Sequence, residues 1–151
     1  MKMGHRIYID TSVFGGVFDP EFESASKIFI SELLSSRFLL VTSEVVKAEI
    51  DLSPQNVKEL FGSLALRGEV VTVDESALRL MDAYIRSGIV GKRSRNDALH
   101  VALATIAQCS IIVSWNFKHI VNYKKIPLYN AVNLVNGYST IQIHSPYEVV
   151  L

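Results

Sequence analysis

The stretch Ile7-Tyr8-Ile9-Asp10-Thr11-Ser12 decides how this chain is read. Three large β-forming residues in a row, apolar on both faces, predict a strand covered on two sides, and a carboxylate stands at its carboxyl end. In an open α/β sheet that end is where ligands gather, in the crevice where strand order reverses. Three more acidic or amide groups, Glu49, Asp97 and Asn116, recur downstream at element ends. Oxygen donors gathered at such a crevice suit a hard cation, Mg²⁺ or Mn²⁺.

Working outward, short β-rich runs at 6–10, 38–41, 69–73, 110–114 and 140–144 alternate with helical patterns, and the inner runs are apolar on both faces. Ser24 is placed to cap a helix burying Ile28, Phe29 and Leu33, and Ser43 one burying Val45, Val46 and Ile50. Ser53-Pro54 opens a third by the cap-then-proline rule. Asp74 opens a fourth, with Leu78, Met81 and Ile85 on one face and Gly88 just past its end. Ser94 opens a fifth, buried helix running to Gln108, and Asn130 starts a short last one. Strand and helix in alternation imply an α/β fold, a three-layer α/β/α sandwich around a parallel sheet of about five strands. If 110–114 neighbours the first strand, Asp10 and Asn116 emerge beside one crevice.

The 151 residues, 49% apolar and 20% charged, are expected to form one domain over 1–151. Fifteen basic against fifteen acidic residues exclude a polycationic coat and leave only a local basic groove for nucleic acid. Cys109, the single cysteine, excludes an intrachain disulfide and a cysteine-rich zinc site, and it reads as a small core residue. No apolar run is long enough to span a membrane, and Arg6 and Asp10 interrupt the N-terminal apolar stretch, so a cytoplasmic protein is expected.

Each chemical candidate has a structural alternative. Asp10 could cap the turn at Thr11 and Ser12. Glu49 borders the apolar stripe of its helix, as an edge residue or as a ligand. Ser94-Arg95-Asn96-Asp97 resembles a capping box with its acid at N3. His100, one turn after Asp97 on an apolar face, reads as a satisfied core residue. Lys92, Arg93 and Arg95 stand just before Asp97, as a solvated loop or as phosphate contacts. Trp115 and Phe117 are core residues or platforms for bases. No dinucleotide fingerprint, Walker loop or nucleophile elbow is present.

In these positions the chain resembles the PIN-domain ribonucleases, and among them toxin-like proteins of the VapC type. Residues 7–12 resemble the first PIN motif, 43–49 the helix bearing the second acid, 96–104 the third and 114–119 the fourth. The resemblance implies a sheet order of 3-2-1-4-5 and metal-dependent hydrolysis of RNA phosphodiester bonds. It also implies Mg²⁺ or Mn²⁺ at Asp10, Glu49 and Asp97, polar support from Ser12 and Ser114, and an antitoxin protein as partner. A homodimer is the general expectation for such a chain. Asn116 departs from the family, which often has an acid there. Two other readings stay open: a phosphatase or DNA nuclease on the same acids, and a degenerate PIN module that binds RNA or protein without catalysis.

Overall fold

In the computed structural model, which describes residues 5–149 and 151, the apolar runs become five short parallel strands: β1 (Arg6–Ile9), β2 (Leu39–Ser43), β3 (Glu69–Val71), β4 (Ile111–Val113) and β5 (Gln142–His144). They pair in the order β3-β2-β1-β4-β5, with Tyr8 opposite Val41 on one side and Ile112 on the other. Ile7, Tyr8 and Ile9 are fully buried, as a central strand with helices on both faces requires. The chain leaves β1 toward β2 and returns to β4 on its other flank, so the switch point lies between β1 and β4.

Among the described residues, seven α-helices cover the sheet: α1 (Thr11–Gly16), α2 (Glu23–Ser35), α3 (Glu44–Ile50), α4 (Gln55–Ala65), α5 (Glu75–Arg86), α6 (Arg95–Ile106) and α7 (Ile126–Val135). A 3₁₀ turn, Lys92–Ser94, leads into α6. The first four pack among themselves, α5 packs on α6 and α7, and one core joins residues from Ile7 to Val149. The three-layer α/β sandwich is therefore the observed fold. No helix among the described residues is long and apolar enough to cross a membrane.

Ser43 caps α3 through the Val46 amide at 3.2 Å, and Asp74 caps α5 through that of Ala77 at 2.8 Å, both as expected. Gly88, with φ of +78°, closes α5 in the left-handed conformation that favours glycine. Other expectations need correction. Ser24 lies inside α2, whose cap position is Phe22, and Ile28 turns to solvent while Ser26, Phe29 and Leu33 go inward. In α5 the buried set is Ala77, Leu80, Met81, Ala83 and Tyr84, whereas Leu78 is exposed. Asn130 sits in the middle of α7, which starts earlier because Pro127 fits its first turn. The six-residue α1 was not anticipated, being too short for periodicity to register.

Candidate functional site

Asp10 ends β1 in extended conformation, 4% exposed. Its carboxylate caps nothing in α1; instead each oxygen takes one hydroxyl. Ser12 Oγ donates to Oδ1 and Ser114 Oγ to Oδ2, both at 2.6 Å. The same hydroxyls accept from the chain beyond β4: the Trp115 amide donates to Ser12 Oγ at 2.8 Å and the Asn116 amide to Ser114 Oγ at 2.9 Å. Two serines thus stitch the ends of the neighbouring strands β1 and β4 together around one carboxylate. Burial pushes the Asp10 carboxyl above its ordinary value, against the lowering effects of His100 and of the two serines. Gly16 helps to set this corner: a Cβ there would come within 2.6 Å of Trp115 Nε1, which instead donates to Ser26 Oγ at 2.8 Å.

Glu49 comes from α3 and is held from two directions. Thr11, next to Asp10, donates to its Oε1 at 2.8 Å, and His100 Nε2 lies 2.7 Å from the same oxygen. A carboxylate can only accept, so Nε2 carries a proton. The other ring nitrogen, Nδ1, is 2.8 Å from the hydroxyl of Tyr8, which is 2.7 Å from Ser43 Oγ. A buried polar chain thus runs from the cap of α3 through β1 and α6 back to Glu49 on α3. Burial alone would raise the Glu49 carboxyl, but the hydrogen bond and charge of His100, with Thr11, outweigh it and hold the group below its ordinary value. Burial pushes the Tyr8 hydroxyl well up, so it stays a phenol. Outside Glu49, a groove of about 580 Å³ runs over Val45 and Ala48 of α3 and Leu52 just past its end to Val73 and Asn96.

His100 is the satisfied core residue that its position suggested, and it also holds a site carboxylate. The missed signals were a tyrosine inside an apolar strand, a serine at the cap of α3 and a threonine beside Asp10, which only the fold brings together with Glu49 and His100. Asp97 lies in the first turn of α6 on the side of His119 and Tyr129, where its charge is felt. Among the described residues it has no side-chain hydrogen bond or ion pair. The capping box does not form. Ser94 makes no cap bond, and its Oγ lies instead 3.1 Å from His119 Nε2. Asn116 reaches the crevice through Ser114, but its Oδ1 accepts from the His119 amide at 2.9 Å and caps the turn that follows. Lys92, Arg93 and Arg95 are exposed and form no ion pair among the described residues. Trp115 is core, whereas Phe117 is 46% exposed.

Among the described residues, no three His, Cys, Asp or Glu side chains converge as a preformed metal cage. The donors still suit Mg²⁺, which keeps several waters and is held by one or two carboxylates together with a substrate phosphate. Asp10 carries no cationic partner, Glu49 keeps Oε2 uncommitted, and Asp97 keeps both oxygens.

No protein-family model and no curated protein matches the sequence. Solved structures match the fold. VapBC2 from Rickettsia felis, bound to a DNA fragment from its promoter, has 16% identity and a TM-score of 0.60 over 93% of this chain and 98% of that one. FitAcB from Neisseria gonorrhoeae has 13% identity and a TM-score of 0.62, covering 95% of this chain and 99% of its own. VapBC-1 from nontypeable Haemophilus influenzae has 15% identity and a TM-score of 0.60, with the same coverage of 95% and 99%. At such identities the likeness is one of fold, and the fold is consistent with the VapC-like PIN resemblance.

Proposed function

We propose that this protein is a Mg²⁺- or Mn²⁺-dependent endoribonuclease, the toxin of a toxin–antitoxin pair. The observation that carries the reading is Asp10: a buried carboxylate at the switch point of a parallel sheet, oriented by two hydroxyls and without an ion pair among the described residues. Burying a negative charge without a counter-charge is costly, and a site that retains one is suited to a bound cation. Asp10, Glu49 and Asp97 would hold the ion. When bound, it supplies an acidified water and neutralises charge developing on the phosphodiester.

The chain's own groups have separable tasks. Ser12 and Ser114 fix both oxygens of Asp10 and so fix which lone pairs remain outward. His100 and Thr11 engage Oε1 of Glu49 and leave Oε2 without a hydrogen bond among the described residues. Lys92, Arg93 and Arg95, at the entry to the helix that bears Asp97, would position the RNA backbone without reading its sequence. An antitoxin partner is supported by the VapBC assemblies whose fold this chain shares, and self-association as a homodimer belongs to the same reading.

The test is to compare hydrolysis of a single-stranded RNA, a DNA of the same sequence and a small phosphomonoester by one preparation, with Mn²⁺ and with chelator. Metal-dependent cleavage of RNA alone is expected. Faster turnover of the phosphomonoester or the DNA would move the reading to another phosphate ester, and undiminished cleavage in chelator would remove the metal from it.

A further inference from the structure

The net charge of zero conceals two opposite halves. Up to Asp82 the chain has thirteen acidic and eight basic residues; beyond it, two acidic and seven basic. Between Asp82 and Glu148 the only acidic residue is Asp97, itself a candidate site group. The division follows the sheet, since β4 and β5 lie on one side of β1 and β2 and β3 on the other. Elsewhere Arg6, Lys27, Lys47 and Arg79 each meet a carboxylate. Among the described residues none of the second half's seven cations meets one, and neither do Arg37, Lys58 and Arg67 of the first; apart from Arg86, the seven are Lys92, Arg93, Arg95, Lys118, Lys124 and Lys125.

These six occupy two segments that touch. His119 is fixed at four points. Its amide donates to Asn116 Oδ1 at 2.9 Å, and its carbonyl accepts from the Tyr129 hydroxyl at 2.8 Å. Lys125 Nζ donates to its Nδ1 at 3.0 Å, and its Nε2 lies 3.1 Å from Ser94 Oγ in the 3₁₀ turn. An ammonium can only donate, so the ring is neutral and its Nε2–H donates to Ser94. Lys125 is thus oriented by an uncharged partner. Hydrogen bonds run unbroken from Asp10 through Ser114 and Asn116 to His119 and Lys125. Asn122 closes the loop on itself, its Oδ1 accepting from the Lys124 amide at 3.0 Å and its carbonyl from the Ile126 amide at 2.9 Å.

The loop also exposes aromatic faces: Phe117 is 46% and Tyr123 79% accessible. Cations interleaved with accessible rings are what a single strand needs, because the cations follow its phosphates and the rings stack its unpaired bases. A duplex offers the phosphates and not the bases. Resting on the nuclease reading, we propose that residues 117–125 form a single-stranded RNA track, with Lys118, Lys124 and Lys125 on the backbone and Phe117 and Tyr123 under bases, leading to Asp10.

The test measures binding of a labelled single-stranded RNA by anisotropy, in chelator, over a salt series. Lys118→Gln, Lys124→Gln and Lys125→Gln together should flatten the slope of log affinity against log salt by about 2, since each lost contact to a single strand removes about 0.7. A control with the same loss of charge, Arg37→Gln, Lys58→Gln and Arg67→Gln, should leave the slope nearly unchanged. Phe117→Ala with Tyr123→Ala should weaken single-strand binding by about fivefold or more per stacked base, keep the slope, and leave duplex binding alone. Thermal melts overlaying the parent would establish that the fold is intact; if the triple variant melts early, Lys118→Gln with Lys124→Gln, both exposed, should still change the slope by about 1.4. Equal effects from the control triple, an unchanged slope in the lysine variants, or loss of binding to an acidic peptide in place of RNA would each overturn the proposal. Binding in chelator needs no cleavage, so a protein that never cuts RNA but shows these slopes would refute the nuclease reading and keep the track. One that cuts RNA with parental slopes in the variants would do the reverse.

Discussion

Asp10 and Glu49 are linked through Thr11, which follows Asp10 in the chain and donates to Glu49, yet their surroundings act on them with opposite sign. Asp10, on the strand side, is held only by neutral hydroxyls, and burial raises its carboxyl. Glu49, on the helix side, is held by a histidine and a threonine, and its carboxyl is lowered. Glu49 is hydrogen-bonded to His100, whereas Asp10 feels the same histidine without a bond to it. The difference teaches that the acids of one site need not share a role: Asp10 is the group that lacks a cation, and Glu49 is the group already positioned.

The sharpest way to break the comparison is at the carboxylates without partners. Asp10→Asn and Asp97→Asn keep size and lose charge, and each is expected to cut metal-dependent RNA cleavage by about 10²-fold or more. Full activity in either variant, measured in Mn²⁺, would take that residue out of the site. Ca²⁺ should not replace Mn²⁺ in the parent, because it prefers longer and more numerous oxygen contacts; equal rates in Ca²⁺ would argue against a compact hard-metal site.

A smaller effect is expected where Glu49 is held. Replacing a residue that orients a metal ligand commonly costs about 10- to 100-fold in metal affinity or activity. His100→Ala should fall in that range, and His100→Gln, whose amide can still donate to Oε1, should recover part of it. The Mn²⁺ affinity from calorimetry is the deciding measurement, since a histidine that only fills the core would lower the melting temperature and leave metal affinity unchanged.

Smaller again, and opposite in sign at the two carboxylates, is the dependence of stability on pH. The folded pKa of Asp10 is raised above its ordinary 3.8, so in chelator its charge destabilises the fold increasingly as pH rises through that window. Asp10→Asn should therefore gain stability over the parent as pH rises from 4 to 7. The folded pKa of Glu49 lies below its ordinary 4.5, so its contribution is present above that value and lost as pH falls through the folded one. Glu49→Gln should be less stable than the parent at pH 7, with the gap closing in acid. Urea unfolding at several pH values checks both, and parallel trends in the two variants would mean that the environments do not differ as described.

The same contrast explains what could be read from sequence. Asp10 was legible because its signal is local: an apolar strand covered on both faces, then a carboxylate. Ser43 and Asp74 were legible because a cap is a bond to an amide three residues on. The holding of Glu49 was not legible, because Tyr8, Ser43, Glu49 and His100 come from four separate elements and only the closed sheet brings them together. Ser94 shows the opposite failure. Its local pattern promised a capping box, and the hydroxyl turned instead to His119, twenty-five residues away.

Asn116 offers the finest adjustment. Its Oδ1 is committed to the His119 amide at 2.9 Å, while its Nδ2 has no partner among the described residues. In Asn116→Asp one oxygen can keep that cap, since Asp and Asn serve about equally well there, and the other replaces the unpartnered nitrogen. Only this second oxygen is new to the crevice, and it adds a negative charge to a site whose metal is limited by charge. A unit charge several ångströms from an ion in a partly solvated cleft is worth about 1 kcal/mol, so Mn²⁺ binding should tighten by about three- to tenfold. Calorimetric titration at limiting Mn²⁺ would read the change, with the melting temperature in chelator nearly unmoved because the cap persists. Unchanged Mn²⁺ affinity with an intact melt would place the new oxygen beyond the ion's reach and leave residue 116 as the clamp that holds His119, and through it Lys125, beside the site.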